Sequence, residues 1–378
     1  MTLALTNLRL FDGESLQDGL HVILDNGRIA TITDTVPADM AREDCGGHLL
    51  APGFVDLQVN GGGDVLFNDS PTVESLQTIA AAHCRFGTTS LLPTLVTDAP
   101  DKRRKAVDAV RQAMGQVPGV RGIHLEGPWI SPKRKGAHDA TLMATPSEED
   151  MALLDSLPGT SMVTVAPDCI SPALIRRMAD RSIRVSLGHS DASHAQAQEA
   201  LKAGAVAFTH LYNTMSPLHH REPGMVGAAL DSEAWCGIIA DGHHVHPAAI
   251  RIAWKTKPPG TLFLVTDAMP PVGGTQTSFT LYGQQIRVHD GKCTTPEGIL
   301  AGSALDMASA VRYCVNTVGI PLSEALRMAS LYPATLMGWH DRIGRIVPGY
   351  EAALVLLDSD LRAIKTWAGG SRNLYTET

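Results

Sequence analysis

The 378-residue sequence has no cysteine framework, no long apolar run and no basic excess, and each lack removes a class of protein. Its six cysteines, Cys45, Cys84, Cys169, Cys236, Cys293 and Cys314, are scattered without a CxxC pair, so they read as reduced core residues and no disulfides are expected. No stretch approaches the roughly 20 apolar residues of a membrane span. The opening MTLALTNLRLFDG also lacks a basic n-region, which makes the cytoplasm the expected compartment. A formal charge of −8 leaves no concentrated basic face for nucleic acid or an anionic membrane, so an anionic substrate needs a local basic pocket. What remains, 44% hydrophobic and 19% charged residues with no low-complexity tract, is ordinary globular composition. The length suits an α/β barrel carrying an accessory domain.

From Ala51 onward one pattern recurs: a short β-branched apolar run ending in polar residues, then a helix-like segment. Eight such runs are present: Gly53–Asn60, Thr88–Val96, Val120–Gly127, Met162–Asp168, Ile183–Ser190, Val206–Asn213, Gly237–Gly242 and Leu262–Ala268. Helical segments between them include Val73–Phe86, Lys102–Met114 and Ala192–Ala203, the last with Ser190 and Asp191 as capping candidates and Gly204 as its stop. Runs apolar on both faces suit parallel strands covered by helices, and eight βα units point to a closed (β/α)₈ TIM-like barrel. Both chain ends read as strands, with an Asp25-Asn26-Gly27 turn in the first, and are expected to pair into one small β-sandwich domain. The expected division is 1–50 and 345–378 for that domain and 51–344 for the barrel. Residues 128–150 and 269–300 read as long connections, either of them a candidate lid or binding loop.

A barrel places chemistry at the carboxyl ends of its strands. Those ends carry Gln58 and Asn60, Glu126, Asp168, His189, His210, Asp241 with His243 and His244, and Asp267. Any one of the 15 histidines is more readily a core or surface residue than a ligand. His189 and His210, ending consecutive strands, can converge with Glu126 on one point above the barrel. A His₂Glu set leaves an open position where a divalent metal lowers the pKa of water from about 15.7 towards about 7. Zn²⁺ suits it first, with Fe²⁺, Co²⁺, Ni²⁺ or Mn²⁺ as alternatives. Asp267 is followed by Met269, Pro270 and Pro271, so it does not cap a helix at once; it reads as the carboxylate that exchanges protons with water.

The motifs APGFVDLQVNG, GTTSLLPTLVT, GIHLEGPWIS with KGAH, SLGHSDA, FTHLYNTMSP, REPGMVGAAL, IADGHHV, LVTDAM and LAGSALDM span nearly the whole chain. Together they resemble the N-acetylglucosamine-6-phosphate deacetylases of the amidohydrolase superfamily. The resemblance implies deacetylation of N-acetylglucosamine 6-phosphate in amino-sugar catabolism and cell-wall sugar recycling, by a homodimeric barrel enzyme. It implies Glu126, His189 and His210 as metal ligands, Asp267 as acid/base, and His138 as the group polarising the acetyl carbonyl. It further implies that Asn213, Thr214, Arg221 and His244 hold phosphate and sugar, Arg221 and His244 reaching the neighbouring subunit's site, while Leu300, Ala301 and Gly302 line the acetyl or sugar side. Gln58 and Asn60 stand where many amidohydrolases carry His-x-His, and Gln58 resembles the single-metal branch, so one metal per subunit is expected. Asp168 stands where related sequences more often have Glu. The alternatives are the galactosamine epimer as substrate, a cyclic amidohydrolase of the dihydroorotase type, and a non-catalytic barrel. The basic run Lys133, Arg134 and Lys135 reads as a solvated loop.

Overall fold

The computed structural model describes residues 2–368, so the end of the tail segment, 369–378, lies outside the described residues. Eight parallel strands follow one another in spatial order as in sequence. They are Phe54–Val59, Thr88–Val96, His124–Glu126, Met162–Val165, Arg184–Leu187, Ala207–Phe208, Trp235–Ile238 and Leu262–Leu264. The eighth returns to the first through the Val59–Ala268 bridge and a bond from the Asp267 N–H to the Gln58 carbonyl at 3.0 Å. Every residue of Thr88–Val96 is buried, as a strand covered by helices outside and side chains inside must be. The barrel expectation therefore holds: the second strand matches its apolar run, while the fourth to eighth strands end three to five residues before theirs, leaving those residues outside the ladder, where the site forms.

The two chain ends build one seven-stranded sheet, in which Leu354–Leu357 pairs with both Arg42–Pro52 and Ala363–Trp367. Strand alternation ties this sheet to the barrel. Leu50, Leu354 and Leu356 pack in the sheet's own core, whereas Leu49, Ala51, Val355 and Leu357 turn the other way into the barrel core.

Two expectations need correction. Residues 269–300 are not a plain connection: Ser278–Leu281, Gln284–His289, Lys292–Thr294 and Leu300–Ser303 form a four-stranded antiparallel sheet. Its first two hairpins turn on Tyr282-Gly283 and Asp290-Gly291, both pairs with positive φ, as tight two-residue loops demand. The helix expected at Ala192–Ala203 spans His194–Lys202, and Ser193, with Gln196 completing a capping box, replaces Ser190 and Asp191 as its cap. The Ser190 hydroxyl is instead committed to Asp168 Oδ1 at 2.5 Å.

Candidate metal centre

Three of the strand-end residues converge. The His210 Nε2 lies 2.9 Å from Glu126 Oε1, the His189 Nε2 lies 3.1 Å from the same oxygen, and the two imidazole nitrogens are 3.1 Å apart. Glu126 ends its strand within the ladder. His189, His210 and Asp267 lie just past theirs and take left-handed backbone, with φ of 47°, 31° and 54°. That conformation is disfavoured for side-chain-bearing residues and needs support from around it. The support is present at His189: its carbonyl accepts from the Ser131 N–H, and the next residue's N–H reaches the Thr214 carbonyl.

The donor set fits a divalent metal. Tetrahedral zinc with bonds of about 2.0–2.1 Å spaces its donors about 3.3 Å apart, close to the three observed edges. The His189 Nδ1 donates to the Arg134 carbonyl at 2.9 Å, so the proton that Nε2 shares with Glu126 is the one a metal would displace, leaving the Nε2 lone pair turned towards the cluster. Burial works to raise the Glu126 carboxyl, yet the bonds from His189 and His210 outweigh it and hold it well below the carboxylate range. A carboxylate and imidazoles pressed together in this way suit a cation. Glu126, His138 and His189 also offer donor atoms within 4.8 Å of one another, a looser set that overlaps the first.

Gln58 and Asn60 hold the adjoining carboxylate. Gln58 Nε2 donates to Glu126 Oε1 and to Asp267 Oδ1, both at 3.1 Å, and Asn60 Nδ2 donates to Asp267 Oδ1 at 2.7 Å. Where two further imidazoles would bring lone pairs, these amides bring N–H donors. Burial first, and repulsion from Glu126 second, raise the Asp267 carboxyl to about 6. His138 is buried beside His189, with ring centroids 4.5 Å apart, and burial pushes its imidazole down to about 3.

Asn60, Glu126, His138, His189, His210 and Asp267 face a cavity of about 360 Å³. Of the expected binding residues, Asn213, Thr214 and His244 line it, as do Leu300, Ala301 and Gly302. His244 lines the cavity of its own chain, and its Nδ1 is bound to Asp241 Oδ2 at 2.6 Å. Arg221 is exposed on its loop and does not line the cavity within one chain. Asp168 lies outside the lining, engaged by Ser190. The basic run is only partly solvated: Arg134 pairs with Asp191 at 2.8 Å, and Lys133 lies 3.7 Å from the same carboxylate. Gly136 of the KGAH segment has φ of 56°, and a Cβ there would meet Thr214 at 3.1 Å and His189 at 3.5 Å, so this loop approaches the ligands by its backbone.

Sequence reasoning missed the lining residues Leu281, Tyr282 and Ile299. They belong to the four-stranded sheet, whose Asp290-Gly291 turn between alternating residues was the available signal.

Residues 49–376 match the amidohydrolase family. The chain is 43% identical to an N-acetylgalactosamine-6-phosphate deacetylase of Shewanella sp. (strain ANA-3), covering 94% of this chain and 92% of that protein. It is 37% identical to the Homo sapiens N-acetylglucosamine-6-phosphate deacetylase, over 97% of this chain and 94% of that one. The crystal structure of the N-acetylglucosamine-6-phosphate deacetylase from Pasteurella multocida superposes with a TM-score of 0.95 at 36% identity, covering 98% of this chain and 99% of that one.

Proposed function

The chain belongs to the amidohydrolase family, and from that premise we propose that it hydrolyses N-acetyl-D-glucosamine 6-phosphate to D-glucosamine 6-phosphate and acetate. The observation that carries the reading is the meeting, in one cavity, of the Glu126, His189 and His210 donors with an Asp267 carboxylate tied to the same Gln58 amide. Glu126, His189 and His210 are the residues that would hold one divalent ion per subunit, zinc first by donor chemistry. Such an ion, when bound, supplies Lewis acidity, lowering the pKa of water and polarising a carbonyl.

The chain's own groups supply the rest. Asp267, oriented by Gln58 and Asn60, takes a proton from the attacking water and returns it to the leaving amine. His138 donates a hydrogen bond to the acetyl oxygen as negative charge develops there. Asn213, Thr214 and His244 orient the sugar phosphate, and Leu300, Ala301 and Gly302 face the acetyl or sugar side. A phosphate wants a guanidinium fork, and among the described residues of one chain none lines the cavity, which supports a homodimer in which Arg221 enters from a second copy. The substrate is a cytoplasmic metabolite in this reading. Among the described residues no helix is long and apolar enough to cross a membrane.

The second reading, the galactosamine epimer, draws on the 43% identity to the Shewanella protein. Acetate release from both N-acetylhexosamine 6-phosphates and from the unphosphorylated sugars, by metal-loaded protein, tests reaction, epimer and phosphate together. Release from neither phosphorylated sugar would overturn the reading.

A further inference from the structure

Thr97 is buried just past the second barrel strand and, among the described residues, is hydrogen-bonded to His138, Tyr282 and the Glu126 backbone but to none of the Glu126, His189 or His210 side chains. Its hydroxyl lies 2.8 Å from His138 Nδ1, and its backbone N–H donates to that same nitrogen at 3.4 Å. Its carbonyl accepts from the Tyr282 hydroxyl at 2.5 Å, which fastens the four-stranded sheet to this point. Room for the hydroxyl is built into the neighbouring strand: a Cβ on Gly127, whose φ is 86°, would fall 2.3 Å from Thr97 Oγ1.

We propose that Thr97 is a positioning residue that holds His138 as the Nε2–H tautomer, with Nδ1 bare and the ring hydrogen available to the cavity. A backbone N–H only donates, so a hydrogen on Nδ1 would face the Thr97 N–H head on. The hydroxyl, whose other acceptor, the Glu126 carbonyl, is 3.5 Å away, is much nearer Nδ1 and completes a two-donor clamp on one lone pair. A neutral imidazole has one N–H, which is then on Nε2. Among the described residues none is hydrogen-bonded to Nε2, while the ring lines the cavity. A donor at Nε2 is what an acetyl oxygen requires, and it cannot ligate a metal. The clamp thereby selects between the two overlapping donor sets and leaves His138 outside the metal's shell. The inference rests on the reading of His138 as the carbonyl-polarising group, yet the tautomer is a property of the protein without substrate.

The test is ¹⁵N-histidine NMR of the zinc-loaded full chain, with the His138 signals identified by their loss in His138→Asn, beside kinetics of Thr97→Val and Thr97→Ser. The expected spectrum shows His138 protonated at Nε2. Thr97→Val, which keeps the branched shape and removes the hydroxyl, is expected to lower kcat about tenfold or more with little change in KM, and Thr97→Ser to recover most of the loss. An Nδ1–H ring in the wild-type protein overturns the proposal, whether or not the valine variant folds. So does a folded Thr97→Val with wild-type kcat on a substrate the wild-type protein turns over. An Nε2–H ring in a protein that releases no acetate supports the clamp and refutes the deacetylase reading instead.

Discussion

Asp267 and Gln58 are joined twice: the Asp267 N–H donates to the Gln58 carbonyl at 3.0 Å, and the Gln58 side-chain amide donates to the Asp267 carboxylate at 3.1 Å. The first bond closes the barrel and the second aims the proposed acid/base group, so fold closure and catalytic geometry share one contact. Because the backbone bond does not depend on the side chain's charge, Asp267→Asn is expected to keep the fold and one metal equivalent. Its kcat should fall by roughly 10²–10⁴, the usual worth of a positioned proton-transfer group. A kcat near that of the wild type would remove Asp267 from the mechanism.

Gln58 and Asn60 present N–H groups to carboxylates where a second metal would need lone pairs. Elemental analysis after gel filtration should therefore find one tightly held divalent ion per chain. Chelation should abolish turnover and lower Tm, because a ligand that binds only the folded state stabilises it by mass action. Two tight equivalents would contradict the single-metal reading.

Arg221 lies away from its own chain's cavity, and this gives a complementation test. Arg221→Ala and Asp267→Asn should each be nearly inactive alone. Mixed and reassociated, they should recover roughly a quarter of wild-type activity, since half of randomly formed dimers are mixed and each of those has one complete site. No recovery from a mixture shown to exchange subunits would place Arg221's role, if any, within one chain.

His124 lies inside the barrel beneath the metal cluster, its Nδ1 donating to the Leu57 carbonyl at 2.9 Å and its Nε2 paired with the Thr164 hydroxyl at 2.7 Å. Burial pushes this imidazole down to about 4. The unfolded chain takes up a proton below about pH 6.5 that the native ring refuses, so this contribution to stability is complete above pH 6.5 and is lost as pH falls towards 4. Between pH 7.5 and 5.0 the loss amounts to about 2 kcal/mol. Denaturant titration of His124→Gln should show a pH dependence over this interval weaker by about that amount; an unchanged dependence would mean that His124 does not stay neutral in the native protein.

The strand–helix alternation was legible because each βα unit carries its own periodicity and its own stops, and these are local properties. The strand-end placement of Glu126, His189, His210 and Asp267 followed from it, since a barrel turns chain order into angular order around one axis. Four short strands between residues 278 and 303 were not legible in the same way. Their exposed faces are polar, as in Gln284–His289, and only their two-residue turns mark them.

By itself, the sequence determined the barrel, the pairing of the two chain ends and the set of chemical groups gathered above the strands, because hydrophobic periodicity and residue type are written position by position. Only the tertiary structure decided which groups touch. It brought the His189 and His210 nitrogens to 3.1 Å, set both residues in left-handed backbone, turned His244 into its own chain's cavity and left Arg221 outside it. Such contacts depend on separations of tens of residues closing to a few ångströms, and no local pattern encodes the last turn of a strand end. The Thr97–His138 contact, across 41 positions, belongs to that second kind.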